Sequence, residues 1–169
     1  MWQVEVRPSQ YALVGSVVDN VLHGVLKEKV LEILSNEHLM ALATLRHDGF
    51  PQTTWVNYIN DALTLYFASD AASQKAGNIA LNPKVSLAIA SETKNFYRLR
   101  GLSMSGNARR IKDRATAASI SQRLFSELPQ SRRFVPQDPA SLAVFAVEPV
   151  AISFIDYSQG FGTSHLILV

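Results

Sequence analysis

Residues 39–90 read LMALATLRHDGFPQTTWVNYINDALTLYFASDAASQKAGNIALNPKVSLAIA. Apolar segments alternate here with turn residues: Asp48-Gly49 breaks the first pair and Asn60-Asp61 the second. Gly, Asn and Asp take positive φ at little cost, so these dipeptides supply bends. The Thr, Trp, Val and Tyr residues between Gln52 and Ile59 suit a pleated, half-buried surface. The pattern predicts strands over His38–Arg46, Gln52–Ile59 and Ala62–Ser69, the third apolar enough to be covered on both faces. A short helix over Ser73–Ala80 follows, with Ser73 as its N-cap, and Pro83 stops it before a fourth strand over Lys84–Ala90. The result is an antiparallel meander that delivers a loop bearing Ser69, Ser73 and Lys75 to a sheet edge.

Outward from this stretch the signals are simpler. Apolar residues at 26, 30, 31, 33 and 34 mark a helix from Val25 to Leu34, with Lys27, Glu28, Lys29 and Glu32 on its other side. Residues 1–20 show no sustained period and read as an arm or short extended segment. Phe96–Ile111 reads as a strand pair or one bent strand, with Gly101 and Gly106 at bulge or bend positions. Asp113 is placed to cap a helix over Arg114–Leu128, and the proline-rich residues 129–139 form a loop. Strands over Ser141–Val147 and Val150–Ile155 flank Glu148-Pro149, and Gly160-Phe161-Gly162 makes a turn before a last apolar run. No repeat or domain boundary interrupts residues 1–169, which read as a single domain.

Composition narrows the chemistry. With 47% hydrophobic and 18% charged residues, the chain can build a core and is not of a disordered class. There is no cysteine, which excludes disulfides, thiolate metal sites and cysteine nucleophiles, and leaves redox chemistry to a bound cofactor. A net charge of +2 is too small to argue for nucleic acid, and no apolar run is long enough to span a bilayer. A cytoplasmic location is the default expectation. The basic residues at 98, 100, 109, 110, 112, 114, 132 and 133 read first as a solvated face. His23, His38, His47 and His165 lack metal-ligand spacing, and neither Ser158 nor Ser164 sits in a nucleophile elbow.

Taken in order, Ala43-Thr44, Asp48-Gly49-Phe50-Pro51, Leu65-Tyr66-Phe67, Ser73-Gln74-Lys75, Asn78-Ile79 and Asn82-Pro83-Lys84-Val85 resemble the FMN-binding split β-barrel family of the pyridoxamine 5′-phosphate oxidases. The resemblance implies a mainly β fold with flanking helices, an antiparallel Greek-key split barrel. It also implies a homodimer with the cofactor in a cleft between subunits. Its phosphate-binding serine and basic residue fall on Ser73 and Lys75, and Ser69 adds a hydroxyl. On residues alone the competing account is that Ser73 only caps the helix and Lys75 is solvated.

Thr54, Trp55, Val56 and Asn57 would line the flavin ring largely through main-chain groups, and Phe67 and Ala68 would lie under the phosphate and ribityl side. Trp55 reads equally well as a core aromatic. Arg100 is a candidate contact from the neighbouring subunit. Two departures matter. The classical oxidases carry a basic residue where this chain has Thr54, and they hold substrate phosphate through an arginine motif near the C-terminus, whereas no arginine follows Arg133 here. The expectation is therefore an FMN-dependent oxidoreductase acting on a small molecule other than a pyridoxine phosphate, with no side chain marked as an acid or base. The alternatives are a non-catalytic flavin or haem module, or one for deazaflavin, which favours a more basic groove.

Overall fold

The computed structural model describes residues 16–19, 24–136, 138 and 140–169. Among them, nine strands and three α-helices follow the order β1 (Ser16–Asp19), α1 (Gly24–Asn36), β2 (Leu39–Leu45), β3 (Pro51–Asn57), β4 (Ile59–Asp61), β5 (Thr64–Asp70), α2 (Gln74–Leu81), β6 (Lys84–Ala90), β7 (Arg100–Arg110), α3 (Arg114–Glu127), β8 (Leu142–Asp156) and β9 (Ser164–Leu168). The sheet runs β1-β9-β8-β7-β6-β2-β3, with β5 pairing both β4 and the first half of β8. All pairings are antiparallel except that of β1 with β9, and the sheet curls into a half-barrel. Of the expected N-terminal arm, residues 16–19 form β1, and the rest lies outside the described residues.

The interior follows from strand alternation. Met40 and Leu42 on β2, Leu65 and Phe67 on β5, Val85, Leu87 and Ile89 on β6, and Phe145 and Val147 on β8 point into one core. The rings of Phe67 and Phe145 stack at 5.0 Å. Helix α1 closes this core with Val30, Ile33 and Leu34, and Tyr58 donates from its hydroxyl to the Leu34 carbonyl at 3.2 Å. The opposite face of β5 is covered as well, because Tyr66 and Ala68 pack beside Ile59, Leu124 and Leu128 under α3. Coverage on both faces is what the apolar content of that segment predicts.

Local chemistry sets the punctuation. Gly49 has φ of 86° in the β2–β3 turn, where Arg46 N–H donates to the Phe50 carbonyl. Ser73 caps α2 by accepting from Ala76 N–H at 3.3 Å, and Asp113 caps α3 by accepting from Thr116 N–H at 2.8 Å. Gly106 sits at the register shift between β7 and β8, and a Cβ there would lie 2.6 Å from the Glu148 carbonyl oxygen.

Three boundaries differ from the sequence reading. Of the two readings of Phe96–Ile111 the single strand holds, but β7 spans only Arg100–Arg110 and is preceded by a 3-10 turn at Phe96–Arg98. Glu148-Pro149 does not divide two strands; β8 continues through it, with Pro149 opposite Gly106 and a bulge at the next residue, Val150, which has no β7 partner. The segment Pro129–Phe134 winds into a 3-10 turn, its proline at the first-turn position where no donor is needed.

Candidate functional site

The hydroxyl and lysine loop is built by the end of β5 and the start of α2. Ser69 closes the core-facing row of β5 and is 7% exposed. Its Oγ lies 3.0 Å from Ser73 Oγ, and Lys75 Nζ donates to it at 3.4 Å. The capping bond of Ser73 uses the Ala76 amide, so the Gln74 and Lys75 amides of the first turn have no intrahelical acceptor. Two hydroxyls, one half-buried ammonium and two helix amides thus converge. Such a set favours a dianion through charge-assisted hydrogen bonds and the positive end of the helix dipole.

A polar network fixes α2 to the sheet. Asn78 is 5% exposed and donates from Nδ2 to Thr44 Oγ1 at 2.9 Å and to Gln52 Oε1 at 3.1 Å. Gln52 in turn donates from Nε2 to Gln74 Oε1 at 2.8 Å. These links tie the first turn of α2 to β2 and β3. Sequence reasoning gave Asn78, Gln52 and Thr44 no part in the site. The available signal was an asparagine beside Ile79 on the buried face of a short helix, which must find partners there.

Strand β3 supplies the remaining positions. Its ladder phase follows from two bonds at its ends, Arg46 N–H to the Phe50 carbonyl and Tyr58 N–H to the His38 carbonyl. Counting inward by twos along the printed register, residues 52, 54 and 56 exchange bonds with β2. The main-chain groups of Thr53, Trp55 and Asn57 therefore face the open side, where β3 has no further partner among the described strands. Thr54 lies on the same face as Gln52, about 7 Å along the strand. Its Oγ1 is buried without a hydrogen-bond partner among the described residues.

The other sequence candidates are distributed as follows. Trp55 is 72% exposed, so in this chain it is not a core aromatic. Val56 is buried in the core and Asn57 is half-buried at the open edge. Phe67 lies wholly inside the barrel, and Ala68 faces the α3 side. Arg100 sits at the far end of the β6–β7 ladder, where Gly101 pairs with Ala90, and its Nε lies 3.5 Å from Asp156 Oδ2. Asp156 is itself 1% exposed. Burial pushes its carboxyl up, but hydrogen bonds from Ser158 and Gln159 and the Arg100 charge outweigh this and hold it below the ordinary value.

Of the arginine pairs, Arg109 bonds Glu148 at 3.1 Å, whereas Arg110 and Arg132, both exposed, line one open cleft. Among the described residues there is no cluster of three or more potential metal ligands, and no helix is long and apolar enough to cross a membrane.

Comparison with known proteins agrees with this architecture. The chain is 24% identical over 138 residues to general stress protein 26 of Bacillus subtilis (strain 168), covering 79% of this chain and 91% of that protein. A FAD-binding protein from Mesorhizobium loti superposes with a TM-score of 0.65 at 18% identity, covering 78% of this chain and 94% of that one. A heme binding protein from Mycobacterium smegmatis superposes with a TM-score of 0.72 at 17% identity, over 88% of this chain and 60% of that one. At these identities the superpositions speak to the fold alone. The family model for pyridoxamine 5′-phosphate oxidase matches residues 26–156, which is most of the half-barrel together with α1, α2 and α3. On that match, which spans well over half of its residues, the chain belongs to the pyridoxamine 5′-phosphate oxidase family.

Proposed function

We propose that this protein binds FMN at the junction of β3, β5 and α2 and serves as a flavin-dependent oxidoreductase for a small molecule. The observation that carries the reading is the convergence of Ser69, Ser73 and Lys75 at the start of α2, with the unpartnered Thr54 Oγ1 on the neighbouring strand. Bound FMN supplies reversible hydride or electron transfer, which no side chain of a cysteine-free sequence provides. Ser69, Ser73, Lys75 and the Gln74 and Lys75 amides hold its phosphate. Thr54 replaces the basic residue of the classical enzymes with a neutral hydroxyl, and its orphaned oxygen would gain a partner from the phosphate or ribityl chain. The open-edge amides and carbonyls of Thr53, Trp55 and Asn57 meet the polar edge of the ring, and Trp55 provides a flat apolar wall.

The reading includes a homodimer. Leu39, Leu45, Phe50 and Trp55 expose 50%, 39%, 68% and 72% of their surface around the β2–β3 hairpin, and a second copy that covered them would also close the ring side of the cleft. Sedimentation at low concentration then shows FMN shifting the equilibrium toward dimer, because a ligand that binds only the assembly stabilises it. A monomer that binds FMN tightly contradicts the shared cleft.

The direct test is the absorption spectrum of freshly purified protein, followed by FMN titration of the parent and Lys75→Ala. Oxidised flavin bands and a loss of about 1.5–3 kcal/mol of binding in the variant are expected, the range for a hydrogen bond to a charged group. Equal affinities would make Lys75 a surface residue, and a Soret band would replace flavin with haem.

A further inference from the structure

We infer that the chain has a second ligand site, for a small amphipathic anion, in the cleft between α3, the end of β7 and the start of β8. The inference rests on nothing in the flavin reading. The cleft encloses about 1020 Å³ and lies on the opposite face of the β5–β8 ladder from the hydroxyl loop. Ser69 pairs with Ala143, whose side chain turns to the barrel core, whereas the adjacent Val144 turns outward beneath α3 and forms the floor of the cleft.

The lining divides by chemistry. Arg110, Lys112 and Arg114 stand along one rim within five residues of sequence, and Arg132 enters from the loop after α3. None of the described lining residues is acidic. No carboxylate of the described residues lies within ion-pair distance of Arg110, Lys112 or Arg114. The nearest acid in sequence, Asp113, is held ionised by hydrogen bonds from the Thr116 hydroxyl and amide, at 2.6 and 2.8 Å, and offsets one of these charges. Four arginines outside the cleft are matched, Arg46 with Asp48, Arg100 with Asp156, Arg109 with Glu148 and Arg123 with Glu127. Arg110, Lys112 and Arg114 thus carry three positive charges against the one negative charge of Asp113, and such an excess raises the local potential and concentrates an anion.

The floor is apolar. Phe125 is half-buried against Leu124 and Leu128 with the Arg132 guanidinium 5.4 Å from its ring centre, so an apolar wall stands beside positive charge. A fully hydrated inorganic anion would leave this floor unused, and a neutral hydrocarbon would gain nothing from the charges of Arg110, Lys112 and Arg114. The arrangement fits a carboxylate, sulfonate or phosphate monoester attached to a flat or aliphatic body of drug-like size.

The experiment uses the full chain, without and with added FMN, and three probes: 1-anilinonaphthalene-8-sulfonate as fluorescent reporter, decanoate as competitor, and decyltrimethylammonium as a competitor of opposite charge. The expected result is one saturable reporter site, displaced by decanoate and not by the ammonium analogue. Arg110→Gln/Arg114→Gln should bind the reporter about tenfold more weakly or worse, the effect of losing charge-assisted contacts. Ala118→Trp, which fills the cleft from an exposed position on α3, should block it with the charges intact. FMN affinity should be unchanged in both variants, which separates failure here from failure of the flavin site. The inference is overturned if both variants bind the reporter as the parent does or if the ammonium analogue competes equally. Displacement of the reporter by excess FMN, mole for mole, overturns it too, since that places the reporter in the flavin cleft.

Discussion

Replacing Asn78 with Ala removes the two bonds that join α2 to the sheet, to Thr44 Oγ1 and Gln52 Oε1. Each is worth about 0.5–1.5 kcal/mol net, and Thr44, only 3% exposed, is left in a place water does not reach, which costs about 1–3 kcal/mol more. Alanine recovers a few tenths of a kcal/mol through its higher helix propensity, up to about 0.7. The expected loss is about 2–4 kcal/mol, read as a lower urea midpoint at unchanged slope. Because the same network holds the first turn of α2 against β3, FMN affinity should fall in parallel with no flavin contact removed. A double-mutant cycle with Thr44→Val isolates the pair, and contacting residues couple by about 0.5–3 kcal/mol. A loss under about 0.5 kcal/mol, or strict additivity with Thr44→Val, would refute the assignment of this network as the clamp on α2.

Three further outcomes are expected. Gly106→Ala forces a methyl to within 2.6 Å of the Glu148 carbonyl at the β7–β8 irregularity, so thermal unfolding should report a loss of about 1–3 kcal/mol, and a neutral result would mean that the bulge relaxes freely. The lowered pKa of Asp156 means that its stabilisation is full above the ordinary carboxyl value of 3.8 and disappears as pH falls through the lower folded value; Asp156→Asn should flatten that acid limb in urea midpoints, and an unchanged limb would assign it to other carboxylates. FMN-saturated protein under air should form little or no pyridoxal 5′-phosphate from pyridoxamine 5′-phosphate, since no arginine follows Arg133 and Arg123 is engaged with Glu127 and the Asn60 carbonyl; robust turnover would show that another basic group grips the substrate phosphate.

What the residues themselves dictated is local. Ser73 and Asp113 announce caps because a short oxygen-bearing side chain before a helix has a nearby amide to satisfy, and both make those bonds. Gly49 announces a turn because glycine takes its positive φ at little cost, and Gly106 a bulge because a Cβ there would meet the Glu148 carbonyl. The ordered motifs from Ala43 to Val85 carried the family and with it the half-barrel. Tertiary structure alone decided which distant residues meet. Trp55, ambiguous as a β-former, is exposed because β3 lies at the end of the main sheet path and turns its odd-numbered residues outward. Arg100, a cofactor candidate by position, is drawn to Asp156 across the β7–β8 ladder. Asn78 meets Thr44 and Gln52 across 34 and 26 residues, and Arg110 shares a cleft with Arg132 only because α3 folds back over β8. Caps and turns are settled by dihedral preferences within a few residues. Partners across a sheet depend on register and strand order, which the energy of the whole core fixes and no short window of sequence contains.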